Sequence, residues 1–574
     1  MAARLTTYVV VGIVAATLIA GLIVGAQRDD DGPVDLIVFN GKVYTADASG
    51  SIAEAVAVRG NQILRVGSNR EINRLRRPQT VVVDALGAAV LPGFNDASAR
   101  FIDAGISLDA VNLAGAATLD EMQARIRTWA DAHPERSWVV GRGWTSALAT
   151  GLTRQLLDAA VSDRPAYMVS EDGRAGWLNT RALTLAGITS HTNAPSDGTI
   201  LHDARGAASG VLKGSALALV DQVVPRVTRE DRARGLRDAV REAHRNGITS
   251  VHDTTVHADD FRIYDEARRA GDLNVRVYSS IPVDGIAEAE AFKRLESLTA
   301  RYPDDPLFKM GGARIALDGA VESLEAAVLQ PYEGQAGDDR PTRVDPDAFN
   351  RFVRLLDARG WQVTAEASGD RAVRMALDAF DHASKSNPAP ARGRRHRIEG
   401  IELIDRLDLP RFGRLGAIAT LEPLRGTPTT TRLDAWIGAV GPDRASRAFP
   451  SGSLASARGR LAFGSGLPSA PLSPFEVIQV ATTRTALDGT PDGGWAPGER
   501  VTLKRAINAL TAVPAYASFD EQRKGSLTAG MLADLVVLSN DIFDLPAAQL
   551  AHTTVAVTIF DGKIVYRHNA KATN

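Results

Sequence analysis

The chain has 574 residues, more than the roughly 100 to 200 usual for one simple domain, so we expect two or three structural units. With 44% hydrophobic and 23% charged residues, the composition is that of a globular protein and excludes a disordered or fibrous one. The net charge of -2 gives no long-range attraction for nucleic acid, and we therefore predict no nucleic-acid partner.

An apolar segment lies at the start of the chain. Residues Thr6–Ala26 carry no charge and are flanked by Arg4 and Arg28. At about 1.5 Å per residue they are long enough to cross a hydrocarbon layer about 30 Å thick. We predict a single-pass transmembrane anchor over residues 1–28 in the inner membrane, with a periplasmic body. A cleaved signal peptide is the alternative, but its apolar region usually spans only about 7 to 15 residues.

Small residues form two stripes at helical spacing along this anchor. Such stripes let another helix approach closely in lipid, although glycine and alanine are common in membrane helices generally. We expect the anchor to contact the lipid bilayer and a membrane protein partner. The stripes are Gly12, Ala16 and Ala20, and Gly21 and Gly25.

Both ends of the remaining chain are rich in β-forming residues. Turn signals interrupt these β-rich runs, and the first two predict hairpins. We expect one β-sandwich with an N-terminal part at residues 34–91 and a C-terminal part at 515–574. The turn signals are Asn40-Gly41, Gly60-Asn61 and Asp561-Gly562.

The middle of the chain alternates amphipathic helices with short apolar runs, which predicts a parallel sheet with crossover helices. We place a barrel at residues 92–514, with an inserted lobe at about 114–225. Residues Gly187–Gly210 are rich in glycine, threonine and aspartate and predict long loops. The clearest helix and strand pairs are Leu119–Ala132 with Trp138–Val140, Arg229–Asn246 with Ile248–His252, and Asp347–Arg359 with Trp361–Ala365.

A series of motifs resembles amidohydrolase family 3 of the amidohydrolase superfamily, which includes hydrolases of N-substituted formamides and related C–N bonds. The resemblance implies an α/β fold, a (β/α)8 TIM-like barrel with a β-sandwich built from both ends of the chain. The motifs are Leu91–Asp96, Gly141–Trp144, Asn246–Asp253, Asp318-Gly319, Gly369–Val373, Arg395–Glu399, Phe463–Ser465 and Gly530–Leu538.

Enzymes of this type use one or two divalent metals, held by imidazoles and carboxylates at strand ends, to lower the pKa of the attacking water. Here the positions that resemble metal ligands hold other residues, and arginine in particular is a fixed cation near neutral pH. These positions are Ser98, Arg100, Arg174, Glu366, Gly400 and Gly466, and weaker correspondences place Gly214, Arg314 and Arg425 in the same class.

The substitutions predict a catalytically degenerate protein with no metal, no cofactor and no catalytic residue. Glu366 should pair with arginines rather than recruit zinc. We expect a structural or accessory subunit of a membrane complex, whether respiratory, photosynthetic, transport or envelope. Two alternatives remain: a metal-dependent hydrolase of C–N bonds, and a binding protein that holds a small anion between Arg100, Arg174 and Arg314.

Overall fold

The computed structural model describes residues 33–568 except 48, 117, 145–150, 171–172, 255–256, 284, 286, 336–340 and 469–470. The predicted anchor and its stripes lie outside this part. Within it, no helix combines the length and apolar character needed to cross a membrane.

Strands and helices alternate along most of the described chain. The strands are β1 (Leu36–Phe39), β2 (Lys42–Tyr44), β3 (Ile52–Ala53), β4 (Ala55–Arg59), β5 (Gln62–Gly67), β6 (Val81–Asp84), β7 (Ala89–Pro92), β8 (Phe94–Ala99), β9 (Val111–Asn112), β10 (Val139–Trp144), β11 (Ala166–Ser170), β12 (Ala175–Leu178), β13 (Gly198–His202), β14 (Ala208–Gly214), β15 (Ile248–Asp253), β16 (Arg276–Pro282), β17 (Phe308–Ala316), β18 (Val363–Glu366), β19 (Arg397–Glu399), β20 (Ile418–Leu421), β21 (Arg460–Phe463), β22 (Leu535–Leu538), β23 (Val555–Phe560) and β24 (Lys563–Arg567). The helices are α1 (Asn69–Asn73), α2 (Phe101–Leu108), α3 (Leu119–Ala132), α4 (Arg154–Asp158), α5 (Thr180–Leu185), α6 (Ala218–Asp221), α7 (Arg229–Arg245), α8 (Ala258–Ala270), α9 (Glu288–Arg301), α10 (Pro346–Ala358), α11 (Asp370–Ser386), α12 (Leu409–Leu415), α13 (Thr430–Ala445), α14 (Ser451–Ser456), α15 (Pro474–Thr483), α16 (Leu503–Ala509) and α17 (Ala512–Ala517).

The largest sheet is a nearly closed parallel barrel. Among the described residues, eight strands pair in the order β8-β15-β16-β17-β18-β19-β20-β21. Its two end strands meet just past their C-terminal ends, where Gly466 N–H donates to Ser98 O at 3.0 Å and Arg100 N–H donates to Leu467 O at 3.1 Å. The predicted α/β barrel is confirmed.

Periodic apolar faces hold the helices against this barrel. In α10, Phe349, Phe352, Val353 and Leu356 recur at helical spacing and are fully buried in the main core. Capping fixes where the helices begin: Thr228 and Asp231 form a capping box at the start of α7. The predicted helices over Leu119–Ala132, Arg229–Asn246 and Asp347–Arg359 are confirmed to within a residue at either end.

A mixed sheet lies in the chain between the first two barrel strands, with the order β13-β14-β12-β11-β10-β9. It has its own core around the buried Trp144 and Trp177. The prediction of long loops over Gly187–Gly210 was wrong in part, because this stretch contains β13 and the start of β14. β13 is short and polar in sequence, but its Ile200 pairs with Leu212 of β14 and both side chains are buried.

Segments from both ends of the chain share one sheet. Its order is β24-β23-β22-β7-β2-β3, and β5-β4-β1-β6 form another sheet beside it. Side chains of both sheets, among them Val38 and Val537, belong to one hydrophobic cluster. That the two sheets form a face-to-face sandwich stays a prediction.

One of the two predicted hairpins is present. β4 and β5 pair antiparallel around Gly60-Asn61, which confirms that hairpin. The prediction of a hairpin at Asn40-Gly41 was wrong, because the strands on either side of this turn do not pair with each other. Instead, β1 pairs with β4 and β6, whereas β2 pairs with β3 and β7. Asn40 does adopt a left-handed backbone, with φ 55°. The turn, however, takes the chain from one sheet to the other.

Candidate functional site

A cavity of about 230 Å³ lies at the C-terminal ends of the barrel strands. Active sites of barrel enzymes are built at this face, because loops from several strands converge there. The cavity brings together six of the nine sequence-predicted positions. Its charged and hydroxyl-bearing lining includes Ser98, Arg100, Arg314, Glu366, Glu422 and Arg425, and Gly466 lies at its edge.

Arg314 links the glutamates of two neighbouring strands. Its Nη2 lies 2.8 Å from Glu366 Oε2, and its Nε lies 3.4 Å from Glu399 Oε2. Although burial opposes it, the charges of Glu366 and Glu399 raise the pKa of Arg314. On the far side of Glu399, Arg397 Nη2 lies 2.8 Å from Oε1. The predicted pairing of Glu366 with an arginine is confirmed.

Glu422 is held by a serine and an arginine. Ser98 Oγ donates to Glu422 Oε1 at 2.8 Å, and Arg425 Nη1 lies 3.6 Å from Oε2. Arg425 also reaches the buried Glu402, with Nη2 2.8 Å from Oε1. A Cβ on Gly466 would lie 2.7 Å from Glu422 Oε2. The Glu422 side chain therefore fills the space that a side chain at position 466 would need.

Arg100 lies at the rim of the cavity with 42% of its side chain exposed. Its nearest carboxylate oxygen, Asp103 Oδ2, is 4.0 Å away. The other oxygen of Asp103 accepts a hydrogen bond from Arg232 at 3.0 Å. Burial, and then repulsion from Arg100, lower the pKa of Arg142 on β10.

Three of the predicted positions do not line the cavity. Gly400 lies beside it, since a Cβ there would be 4.0 Å from Glu366 Cγ, but glycine has no side chain that could act as a ligand. Arg174 is exposed in the turn between β11 and β12 and is not among the described residues that line the cavity. Gly214 lies next to it and donates its N–H to Arg174 O at 2.9 Å. The expected clamp therefore lacks Arg174, because that residue belongs to the mixed sheet.

The residues at the mouth do not fit a divalent metal, which needs about three or four convergent imidazoles or carboxylates. No histidine is among the described residues that line the cavity, and Glu366 and Glu422 are already engaged by Arg314, Ser98 and Arg425. Across the described part of the chain, no three His, Asp or Glu side chains converge as a metal site would require.

Two buried histidines have structural partners. His252 is fully buried and its Nδ1 lies 2.8 Å from Arg397 Nη1. Burial, followed by the Arg397 charge, lowers the pKa of His252 and keeps the ring neutral. His396 Nδ1 accepts from Val363 N–H at 3.1 Å. Hydrogen bonds to neighbouring residues therefore hold both rings in place.

Sequence reasoning missed Glu422 and Glu402 as members of the site. Glu422 directly follows the apolar run that forms β20, and this position was an available signal, whereas Glu402 comes three residues after the charged β19. Their partners could not be read from a local pattern, because Ser98 and Glu422 are 324 residues apart.

Known proteins resemble this chain over most of its length. Residues 81–566 match the amidohydrolase family. The chain is 28% identical to LONG AFTER FAR-RED 3 of Arabidopsis thaliana, over 93% of this chain and 91% of that protein. It is 28% identical to the N-substituted formamide deformylase of Arthrobacter pascens, over 93% and 98%. It is also 27% identical to the exoenzymes regulatory protein AepA of Pectobacterium carotovorum, over 62% and 78%.

Solved structures share the fold. An uncharacterized metal-dependent hydrolase from Pyrococcus furiosus superposes with a TM-score of 0.68 at 22% identity, covering 87% of this chain and 97% of its own. A second one, from Pyrococcus horikoshii, gives 0.68 at 21% identity, covering 87% and 96%. With the family match, the barrel and the ordered motifs in agreement, this chain belongs to amidohydrolase family 3.

Proposed function

We propose that this chain is a catalytically degenerate member of its family and serves as a structural or accessory subunit of a membrane protein complex. In this proposal the N-terminal segment anchors it in the inner membrane and the body is periplasmic. The observation that carries the proposal is the position of Arg314, which occupies the barrel mouth between Glu366 and Glu399.

Hydrolysis by this fold depends on a water whose pKa a metal has lowered. A guanidinium cannot ligate a metal, since it stays protonated and has no acceptor atom. The remaining carboxylates of the mouth are already in ion pairs with arginines. If these carboxylates bound a metal instead, the arginines would lose their partners in a partly buried site, which is unfavourable. This supports a body that keeps the fold without the hydrolytic chemistry.

Other acidic residues hold the loops at the mouth in place. Asp318 accepts backbone hydrogen bonds from Ala327, Ser368 and Gly369 at 2.8 to 3.0 Å. Asp96 accepts from Ser98 and Ser465 at 3.1 and 3.0 Å. These contacts give a fixed surface that needs no catalysis to be useful to a partner. One relative, AepA, is likewise named as a regulatory protein.

Copurification tests the proposed role. The full chain, tagged at its C-terminus and expressed in its native host, is extracted in a mild detergent and isolated beside a variant that lacks residues 1–28. We expect the full chain to carry a membrane protein in fixed ratio, and the shortened variant to lose it or to bind it more weakly. A solitary monomer in repeated native preparations would contradict the proposal.

A metal-dependent hydrolase of C–N bonds is the second candidate, favoured by the deformylase relative and by the metal-dependent hydrolase structures. Turnover of N-substituted formamides by the purified full chain, abolished by a chelator and restored by zinc, would replace the first proposal with this one. Glu366→Gln and Glu422→Gln are the matched variants, because a metal at the mouth would draw on these carboxylates.

A further inference from the structure

We propose that the end of the barrel opposite the mouth docks on an anionic phospholipid surface, through a patch of exposed arginines and aromatic rings. The inference rests on the proposed function, because it takes residues 1–28 to hold the chain at a bilayer. It deepens that function by naming the part of the body that faces the membrane. We call this surface the arginine patch; its members are Arg392, Arg414, Arg458, Arg460, Tyr516 and Phe519.

The arginine patch lies at the N-terminal ends of three adjacent barrel strands, which pair in the order β19-β20-β21. Arg392 lies in the loop before β19, and α12, with Arg414 in its last turn, leads into β20. Arg458 and Arg460 lie at the start of β21. A Cβ on Gly413 would be 3.7 Å from Arg458 Cβ, so α12 reaches the start of β21. The four arginines therefore share one end of the barrel, away from the mouth.

Aromatic rings connect the cations of this surface. The guanidinium of Arg392 lies 4.2 Å from the ring centre of Phe519, and that of Arg460 lies 4.3 Å from the ring centre of Tyr516. Arg395 contacts both rings, at 4.5 Å from Phe519 and 3.9 Å from Tyr516. Both rings are half-buried, so they present apolar surface beside the charges. Basic and aromatic side chains together are typical of surfaces that bind membranes.

The positive charge of the patch is not neutralised within the protein. Its four arginines are exposed and form no ion pair with any residue that the structure describes. The neighbouring Arg395 differs, since it donates two hydrogen bonds to Glu521 at 2.7 Å. Because the whole chain has a net charge of -2, this excess of positive charge is local. Anionic lipid headgroups attract such cations at short range.

The described chain begins at the same end of the barrel. Asp35 accepts a hydrogen bond from the turn of the β4–β5 hairpin at 2.6 Å, and Asn61 of that turn donates to Asp561 at 3.2 Å. Asp561 Oδ1 lies 2.8 Å from Nη2 of Arg276, the first residue of β16. The proposed anchor is joined to this end by residues 29–33, which span at most about 18 Å. In the proposed function, the bilayer therefore lies close to the end that carries the patch.

Fluorescence of the full chain in vesicles tests the docking. The sequence has no cysteine, so a single introduced cysteine can be labelled with a fluorescent dye. Ala391→Cys places the dye beside the patch, whereas Leu407→Cys places it at the mouth end, where Leu407 is 80% exposed in the loop after β19. The chain is reconstituted in vesicles of phosphatidylcholine, with or without phosphatidylglycerol, that contain a lipid with a spin-labelled headgroup as quencher.

We expect stronger quenching of the Ala391→Cys dye in vesicles that contain phosphatidylglycerol, and weak quenching at Leu407→Cys in both. Arg414→Gln and Arg458→Gln should each lower the ratio of docked to undocked protein about fivefold. Neither arginine makes a side-chain hydrogen bond or ion pair with a described residue, so both variants should fold, and thermal unfolding verifies this. The matched control is Arg406→Gln, an exposed arginine at the mouth end, which should leave the quenching unchanged.

Equal quenching of the Ala391→Cys dye in both lipid compositions would overturn the inference. This outcome covers a patch that is occupied by the chain's own acidic residues Asp29–Asp31, because their binding would not depend on lipid charge. Quenching that Arg414→Gln and Arg458→Gln leave unchanged would overturn it as well. Added salt should reduce the quenching only where phosphatidylglycerol is present.

Flotation of the same vesicles separates this inference from the proposed function. Chain that floats with both lipid compositions but shows no quenching dependent on lipid charge would overturn the docking alone. Chain that floats only with phosphatidylglycerol would contradict the anchor, and with it the proposed function, while supporting the patch. Chain that floats with neither composition would overturn both.

Discussion

Arg314 is the side chain on which the polar structure of the barrel mouth depends most. Removing it would leave Glu366 and the buried Glu399 as two carboxylates on neighbouring strands without their shared cation. Loss of one partner from a buried ion pair costs about 3–5 kcal/mol. We therefore expect Arg314→Met to lower the free energy of unfolding by about this amount, measured by urea denaturation.

The control for this variant is Arg241→Met, which removes an exposed arginine paired with Asp238. Exposed pairs contribute at most about 1 kcal/mol, so the control should change the free energy of unfolding very little. Equal stability of Arg314→Met and the wild type would show that the contacts of Arg314 with Glu366 and Glu399 do not stabilise the fold.

Asp96 provides a pH-dependent prediction at the same scale. Burial raises its pKa to about 6, against the opposing hydrogen bonds from Ser465 and Ser98. In the unfolded chain its pKa is about 3.9, so between about pH 4 and pH 6 the folded state holds a proton that the unfolded state has lost. The stability contribution of Asp96 therefore decreases as pH rises through this window and stays low above it.

Asp96→Asn should remove this contribution to the pH dependence of the free energy of unfolding, because the amide does not titrate. Its Oδ1 can still accept from both Ser98 and Ser465, which use the same oxygen. The free energy of unfolding of the variant, relative to the wild type, is expected to rise between pH 4 and pH 7 when followed by denaturant titration. A difference that does not change with pH would contradict the raised pKa.

At the scale of elements, the sequence predicted the helices better than the connections between strands. The N-cap residues of α3, α7 and α10 are Thr118, Thr228 and Asp345. Each helix also has a clear apolar face, so the capping residue and the apolar periodicity predict the same helix. The hairpin prediction at Asn40-Gly41 failed because a left-handed turn of this kind can connect two paired strands or lead the chain from one sheet to another. Which strands pair depends on contacts distant in sequence, and a local pattern does not contain them.

The candidate site divides in the same way. Its positions followed from motifs at strand ends, and the resemblance located Ser98, Arg100, Arg314 and Glu366 at one mouth. Their partners did not follow: Glu422 reaches Ser98 from the end of β20, 324 residues away along the chain, and Arg174 is placed by the mixed sheet. Strand order determines these contacts, and it becomes visible only in the folded chain.

The close contact of α2 with α7 gives a prediction for an element that carries part of the site. A Cβ on Gly105 would lie 1.7 Å from Gly235 O, so the two helices touch through their backbones. Gly105→Ala must push them apart, at a cost of about 1–3 kcal/mol. Because Arg100 is the N-cap residue of α2, the same shift should also move the rim of the cavity.

Gly438→Ala is the matched control, since Gly438 lies in α13 with nothing within 4 Å of the added Cβ. Alanine in a helix interior is favoured over glycine by up to about 1 kcal/mol, so this variant should be slightly more stable. Thermal unfolding compares the two variants, and an equal change in both would contradict the close packing of α2 on α7.

For the whole molecule, a buried ion pair joins the barrel to the terminal sheets. Arg276 on β16 contacts Asp534 through two hydrogen bonds, at 2.6 and 3.0 Å, just before β22. Both side chains are 4% exposed. This pair, together with strands drawn from both ends of the chain, predicts that barrel and terminal sheets unfold as one unit.

Asp534→Ala should destabilise the protein by about 3–5 kcal/mol, because it leaves the buried Arg276 with Asp561 as its one remaining ion-pair partner among the described residues. Asp561→Ala should cost less, since that side chain is 37% exposed. Scanning calorimetry measures both variants, and the wild type should show a single transition. Separate transitions for the wild type, or equal effects of the two variants, would contradict this coupling.

The absence of a metal centre at the barrel mouth is the central claim, and metal content tests it most directly. The full chain is purified from cells grown with added zinc, iron and manganese, and bound metal is measured by inductively coupled plasma mass spectrometry against protein concentration. We expect every transition metal to be far below one equivalent per chain after dialysis. A stoichiometric metal that survives dialysis and is lost in Glu366→Gln and Glu422→Gln would contradict the claim.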